Sequence, residues 1–230
     1  MYKSSVVICS GGMDSVTLAY EEARRGKIQL LSFDYGQRHK KELECARMCA
    51  EDLNVPWEVV DLTSLGRLLH GSSLSDRRVD VPDGHYSAQS MKLTIVPNRN
   101  SIMLNCAVGV AIGTGAEVVY TAVHSGDRAI YPDCREEFVR ALNQLIRVAT
   151  ETSVRVEAPF VNVTKADIAS IGNRLGVDWT RTWSCYKGGE IHCGRCGTCT
   201  ERQEAFHLAG VEDPTPYEDA EFWKTAEANA

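Results

Sequence analysis

No apolar stretch in the 230 residues approaches the roughly 20 needed to cross a bilayer. The first residues run straight into a strand pattern, without the apolar centre of an export signal. A cytoplasmic protein with no membrane partner is the expectation. Gly-x-x-x-x-Gly-Lys-Ser/Thr is also missing, which excludes a phosphate loop whose lysine reaches the β- and γ-phosphates. Neither an internal repeat nor a low-complexity tract occurs. Basic residues are in deficit, 25 Lys and Arg against 31 Asp and Glu for a net charge of -6, and this argues against a chain whose main task is gripping nucleic acid. What remains is an ordinary globular composition, 43% apolar and 24% charged, of a length that suits one large α/β domain or one domain with an appendage.

Apolar periodicity alternates between two and 3.6 residues through the first part of the chain. Strands are predicted at Ser5 to Cys9, Ile28 to Phe33 and Trp57 to Leu62, with helices over Met13 to Arg25 and Lys40 to Leu53. That order describes half of a doubly wound parallel sheet, with ligands at the carboxyl ends of the strands. Leu74 to Asn98 loses both periodicities and reads as a long surface loop or lid. Helices at Ser101 to Gly113 and Glu136 to Thr150 then alternate with strands at Val118 to Val123 and near Val154 to Ala158. A last helix follows Thr164, its N-cap, with Asp167 at the third helical position.

The first strand ends in Ser10-Gly11-Gly12-Met13-Asp14-Ser15, and Val16 and Leu18 begin the helix behind it. Paired glycines permit positive φ and close backbone approach, and a helix start offers unpaired N–H groups, so the turn from Cys9 to Val16 reads as an anion cradle suited to pyrophosphate. Asp14 caps those N–H groups or helps to hold a metal ion. Other candidates are spread along the chain. Asp34 ends the second strand, where an acidic residue meets a ribose or makes a turn. Gln37, Arg38 and His39 gather donors at the same rim or form a solvated helix start. Arg99 and Asn100 offer charge-assisted bonds to phosphate or carboxylate, with capping as the structural alternative for Asn100. Asp133 and Arg135 flank Cys134 and either recognise a substrate edge and its carboxylate or open a helix after Pro132. Lys165 is the cation expected beside the phosphates.

Nine cysteines without an export signal point away from a disulfide framework. Five are scattered, and their simplest role is as small buried hydrophobes. Cys185, Cys193, Cys196 and Cys199 instead form Cys-x7-Cys-x2-Cys-x2-Cys, a closed ligand shell for structural Zn²⁺, with an iron–sulfur cluster as the rival occupant. Gly188, Gly189 and their polar neighbours bury too little to order this segment unaided. Metal binding would supply the free energy and fix Trp183, Tyr186 and Lys187 near the mouth of the site. Arg195 and Arg202 admit a nucleic-acid-binding knuckle as the other reading.

SGGMDS at 10–15 resembles the signature of the PP-loop ATP pyrophosphatase superfamily. With FDYGQRH at 33–39, PNRN at 97–100, YPDCR at 131–135, TKADI at 164–168 and the cysteine quartet, nearly the whole chain resembles the 7-cyano-7-deazaguanine synthases of that superfamily. The resemblance implies a mostly parallel, doubly wound five-stranded sheet of the adenine-nucleotide alpha hydrolase type. Residues 1–178 would form the ATP-binding domain and 179–230 a zinc-binding segment and tail packed on it. It implies a ligase that converts 7-carboxy-7-deazaguanine, ammonia and ATP into the nitrile for queuosine biosynthesis, with one structural zinc, Mg²⁺ on the phosphates, a homodimer and no direct nucleic-acid partner. No glutaminase domain fits in this length to supply the ammonia. The rival readings are a PP-loop tRNA sulfurtransferase, against which the bulk charge speaks, and a PP-loop enzyme for a different carboxylate.

Overall fold

The computed structural model describes residues 4–85 and 89–227. Strand β1 (Ser4–Ile8) leads into α1 (Met13–Arg25), β2 (Lys27–Asp34), α2 (Lys41–Leu53), β3 (Trp57–Asp61) and the single turn α3 (Thr63–Gly66). After a stretch containing a 3-10 helix at Gln89–Thr94 come α4 (Arg99–Thr114), β4 (Val118–Tyr120), α5 (Glu136–Ala149), β5 (Arg155–Glu157) and α6 (Lys165–Leu175). Two further helices, α7 (Gly197–Ala209) and α8 (Phe222–Glu227), close the described chain. The sheet is five-stranded in the order β3-β2-β1-β4-β5, and every pairing is parallel.

Strand residues point alternately to the two faces, and the side chains follow that period. Val7 and Leu30 join α1, α2, α6 and Phe206 of α7 in one core, while Val6 and Leu31 join Leu104, Ala107 and Val108 of α4 and Leu142 and Ile146 of α5 in the other. Strand order reverses between β1 and β4, so the crevice of this sheet opens beyond their carboxyl ends. β4 is shorter than its apolar run. Residues 121–123 leave the sheet after Tyr120 and become part of the crevice wall.

Thr164 and Asp167 cap α6 reciprocally: Asp167 N donates to Thr164 Oγ1 (3.1 Å) and Thr164 N to Asp167 Oδ2 (3.3 Å). The segment expected as a free loop is tied down. Leu74, Val81, Met91 and Val96 are buried. Arg38 N donates to Leu74 O (2.9 Å), and Gly84 N to Arg195 O (3.0 Å) in the cysteine-rich segment. That segment shares the main core, because Trp179 and Phe206 pack edge to face, 5.0 Å between centroids, among the residues of α1 and α6.

Candidate active site

Hydroxyls stitch the turn after β1. Ser10 N donates to Ser15 Oγ (3.1 Å), the two serine hydroxyls lie 3.1 Å apart, Gly12 N donates to Ser10 Oγ (3.3 Å), and Ser15 Oγ donates to Gly12 O (3.1 Å). Gly12 caps α1 without any side-chain acceptor, which leaves the positive end of a 13-residue helix available to an anion. Gly11 has φ +86°, and a Cβ there would stand 2.1 Å from Glu42 O in α2, so only glycine fits.

Lys165, the first residue of α6, reaches this turn from the far side of the crevice. Its Nζ lies 3.2 Å from Asp14 Oδ2 and 2.6 Å from Glu201 Oε2 of α7. Burial alone would lower its pKa, but Asp14, Glu201 and Asp127 outweigh that and hold it above the ordinary lysine value. The ammonium is therefore charged at neutral pH. Burial pushes the Glu201 carboxyl up. His124, 2% exposed, accepts from Gly126 N through Nδ1 (3.1 Å) and turns Nε2 toward Asp127 Oδ1 (3.5 Å) and Glu201 Oε1 (3.9 Å). Asp14 Oδ1 is buried without a hydrogen-bond partner among the described residues. Asp14 and Glu201 thus both pair with one ammonium, and the charge of Asp127 adds to theirs.

The other end of the cleft is aromatic. Arg99 opens α4 behind Asn98, which is left-handed at φ 56°. Its Nη1 donates to the Tyr35 hydroxyl (3.4 Å), its Nε to Asn100 Oδ1 (3.3 Å), and its guanidinium lies 5.8 Å from the Tyr35 ring centre. Burial opposes the charge, yet Tyr35, Tyr186 and Tyr131 raise the guanidinium above its ordinary value. No carboxylate neutralises Arg99 among the described residues, which leaves it free to pair with an anionic ligand. Asn100 Nδ2 donates to Cys134 Sγ (3.5 Å). Burial pushes the Cys134 thiol up, so it is protonated and a poor nucleophile.

The four clustered cysteines are buried, with their sulfurs all within 4.8 Å of one another. Zn–S bonds of about 2.3 Å place tetrahedral thiolates roughly 3.8 Å apart, and Cys193 Sγ and Cys199 Sγ are 4.0 Å apart. Backbone N–H groups of Cys193, Arg195 and Cys196 point at sulfurs at 3.3–3.4 Å. Hydrogen bonding from Cys185, opposed by Cys196, lowers the Cys193 thiol to about 7. The set fits a single tetrahedral metal ion; a multi-iron cluster would need its thiolates spread around several metal centres. The segment also touches the Ser10–Ser15 turn directly, since Trp183 N donates to Gly11 O (2.9 Å). Arg202, wholly buried, holds that contact in place by donating to Thr182 Oγ1 (2.7 Å) while pairing with Asp213 (3.1 Å).

Cys9, Ser10, Gly12, Met13, Asp14, Ser15, Gln37, Arg99 and Lys165 line one cleft. Gly11 backs the turn, and Val16 lies in the core. Asp34 lies outside the cleft lining, where it accepts from Gly36 N (2.9 Å) and pairs with Lys40 (3.0 Å). Gln37 spends its carboxamide on Phe33 O (3.0 Å) and Tyr35 N (2.9 Å). Arg38 points away, to Asp76 O (3.3 Å) and Val79 O (2.9 Å). Asp133 and Arg135 are likewise outside. The turn Pro132–Cys134 brings Cys134 inward instead, and Arg135 is exposed with Nε on Arg128 O (3.2 Å). Sequence reasoning assigned no individual role to Glu42, Tyr35, Tyr131, Thr198 or Glu201; Tyr35 and Tyr131 stand inside FDYGQRH and YPDCR, Thr198 between two ligand cysteines, and Glu42 and Glu201 two or three residues beyond such motifs.

The family model described as queuosine biosynthesis protein QueC matches residues 4–210. The 7-cyano-7-deazaguanine synthase of Brucella anthropi is 56% identical over 225 residues, which cover 96% of this chain and 97% of that protein. That of Rhizobium rhizogenes is 57% identical over 225 residues, covering 96% and 95%. Among solved structures, NMN synthetase from Francisella tularensis superposes with TM-score 0.53 at 12% identity, over 99% of this chain and 85% of that one. U34-tRNA thiolase NcsA from Methanococcus maripaludis, solved with its 4Fe-4S cluster, gives 0.52 at 14%, over 99% and 72%. At such identities these two show the fold alone. From its match along almost the whole length, the chain belongs to the QueC family of queuosine biosynthesis proteins.

Proposed function

We propose that this protein is a 7-cyano-7-deazaguanine synthase that converts 7-carboxy-7-deazaguanine, ammonia and ATP into the nitrile. The observation that carries the reading is a single cleft with an anion-cradling turn at one end and, at the other, a half-buried Arg99 among tyrosines with no carboxylate partner among the described residues. Close relatives bearing that name over nearly the whole chain support it. In the first half-reaction the substrate carboxylate attacks the α-phosphate of ATP and pyrophosphate leaves. Ammonia then displaces AMP to give the amide, and a second ATP activates the amide oxygen before the nitrile forms. The cradle at 10–15 and Lys165 hold the departing pyrophosphate and offset its charge. Asp14 would help to hold the Mg²⁺ that accompanies ATP, where it would neutralise phosphate charge. Arg99 takes the substrate carboxylate, the part that spacing had given to Arg135, and Tyr35, Tyr131 and Tyr186 flank the planar base.

Zinc on Cys185, Cys193, Cys196 and Cys199 is structural in this reading, since four thiolates leave no open position. The enzyme is a ligase working as a cytoplasmic homodimer on small molecules, a reading supported by the family resemblance. Incubation with ATP, ammonium and 7-carboxy-7-deazaguanine, followed by mass spectrometry, tests it. The nitrile is the expected product, and its absence from metal-replete protein would sink the assignment.

A further inference from the structure

We propose that His39 is a catalytic base of the nitrile-forming step and that Glu42 fixes which of its ring nitrogens is free. The inference rests on the reading above, in which this cleft carries an amide to a nitrile. His39 is 2% exposed, lines the cleft, and packs against Tyr186 with ring centroids 5.3 Å apart. Its Nε2 lies 3.3 Å from Glu42 Oε2, in the first turn of α2. A carboxylate accepting at Nε2 favours the neutral-ring tautomer with its proton there, which makes Nδ1 the acceptor nitrogen. That Nδ1 is buried with no hydrogen-bond partner among the described residues. A buried acceptor left unpaired calls for an explanation, and a donor brought by the substrate supplies one. Its neighbours in sequence are spent differently, Gln37 and Arg38 both being engaged by backbone groups.

Four other titratable groups of the cleft are committed. His124 uses Nδ1 to accept from Gly126 N. Lys165 is held protonated by Asp14 and Glu201, and burial keeps the Cys134 thiol protonated. Asp127 Oδ2 accepts from His124 N (3.1 Å). Nitrile formation needs a base on chemical grounds. When the amide oxygen displaces pyrophosphate from ATP, the nitrogen of the adenylylated amide carries two protons and a double bond to carbon. One acidic proton leaves to water and gives the neutral imidate. The second passes to His39 Nδ1 while the N–H electron pair becomes the second C–N π bond and the C–O pair departs with AMP. The imidazolium that results is stabilised by Glu42, the arrangement that lets a carboxylate-oriented histidine take a proton.

The test supplies the full-length, metal-replete protein with ATP and the amide, or with ATP and the acid, under rapid quench. Acid adenylylation needs no base, because the carboxylate is already the nucleophile. His39→Gln therefore keeps ATP–pyrophosphate exchange with the acid within about threefold of wild type and loses nitrile formation from the amide by about 100-fold or more. Glu42→Gln, which frees the ring to put its proton on Nδ1, loses about 10-fold or more in the same step and keeps exchange. Nitrile formation by His39→Gln near the wild-type rate overturns the assignment. Joint loss of exchange and nitrile in a variant that melts like wild type also overturns it, and places His39 in binding. Should His39→Gln fail to fold, an unchanged nitrile rate in Glu42→Gln overturns it alone. A wild-type protein that makes no nitrile from either compound defeats the parent reading and this one with it, a result distinct from the others.

Discussion

Lys165 and Asp14 illustrate how a residue acquires its role from a partner far away in the chain. TKADI predicted a helix start at Thr164, which is found, and a cation for the phosphates; the carboxylates that keep Lys165 charged include Asp14 and Glu201, the latter 36 residues downstream. Local reading reaches the cation and not its counter-ions. The same distance effect explains the misplaced pair at 133 and 135, because which face of a single 3-10 turn looks inward is decided by packing around Cys134 and not by local composition. Lys165→Met should lower ATP–pyrophosphate exchange by about 100-fold or more, a loss typical of removing one preorganised charge from a site. It also leaves Glu201 and Asp14 facing each other unpaired, so the variant should melt earlier. Exchange kinetics beside a thermal melt separates the two effects, and unaltered exchange would remove Lys165 from the phosphate site.

Among the elements, those with a clean period were legible and those defined by tertiary partners were not. β1, α1, β2, α2 and β3 follow their hydrophobic patterns to within a residue or two. α7 was invisible because its buried residues include Thr198, Thr200, Glu201, Arg202 and Gln203, so no apolar stripe marks its inner side. The stretch after Leu74 read as a loop because its order comes from hydrogen bonds to Arg38 and Arg195 rather than from its own periodicity. Where α6 crosses Trp179, Gly172 holds the two in contact: a Cβ there would stand 2.2 Å from the Trp179 ring. Gly172→Ala gains about 1 kcal/mol of helix propensity and loses roughly 1–3 kcal/mol to overpacking. The second term wins, and denaturant melts should show net destabilisation; a stabilised variant would mean that Trp179 moves freely. Arg202→Met, which removes a fully buried cation and leaves the half-buried Asp213 carboxylate without it, should cost roughly 3–5 kcal/mol by the same measurement.

At the scale of the molecule, the sheet presents a crevice, and the cysteine-rich segment closes one wall of it. Trp183 N on Gly11 O makes that wall continuous with the Ser10–Ser15 turn. Elemental analysis should find about one zinc per chain. Cys196→Ser should lower solubility and thermal stability, because metal binding supplies ordering free energy that the polar segment lacks. Full folding and full activity after chelation would contradict a structural role. The doubly wound architecture followed from strand–helix alternation, and the ligand position from the reversal between β1 and β4. The composition of the far end, Arg99 among three tyrosines from separate segments, became visible only when the chain folded. The central claim is that one cradle serves two adenylylations on the way from an acid to a nitrile. The most direct measurement follows the acid with ¹⁵N-ammonium and ATP and counts AMP against labelled product. Two AMP for each ¹⁵N-labelled nitrile is the predicted result; ADP in place of AMP, or a reaction that stops at one AMP and the amide, would contradict it.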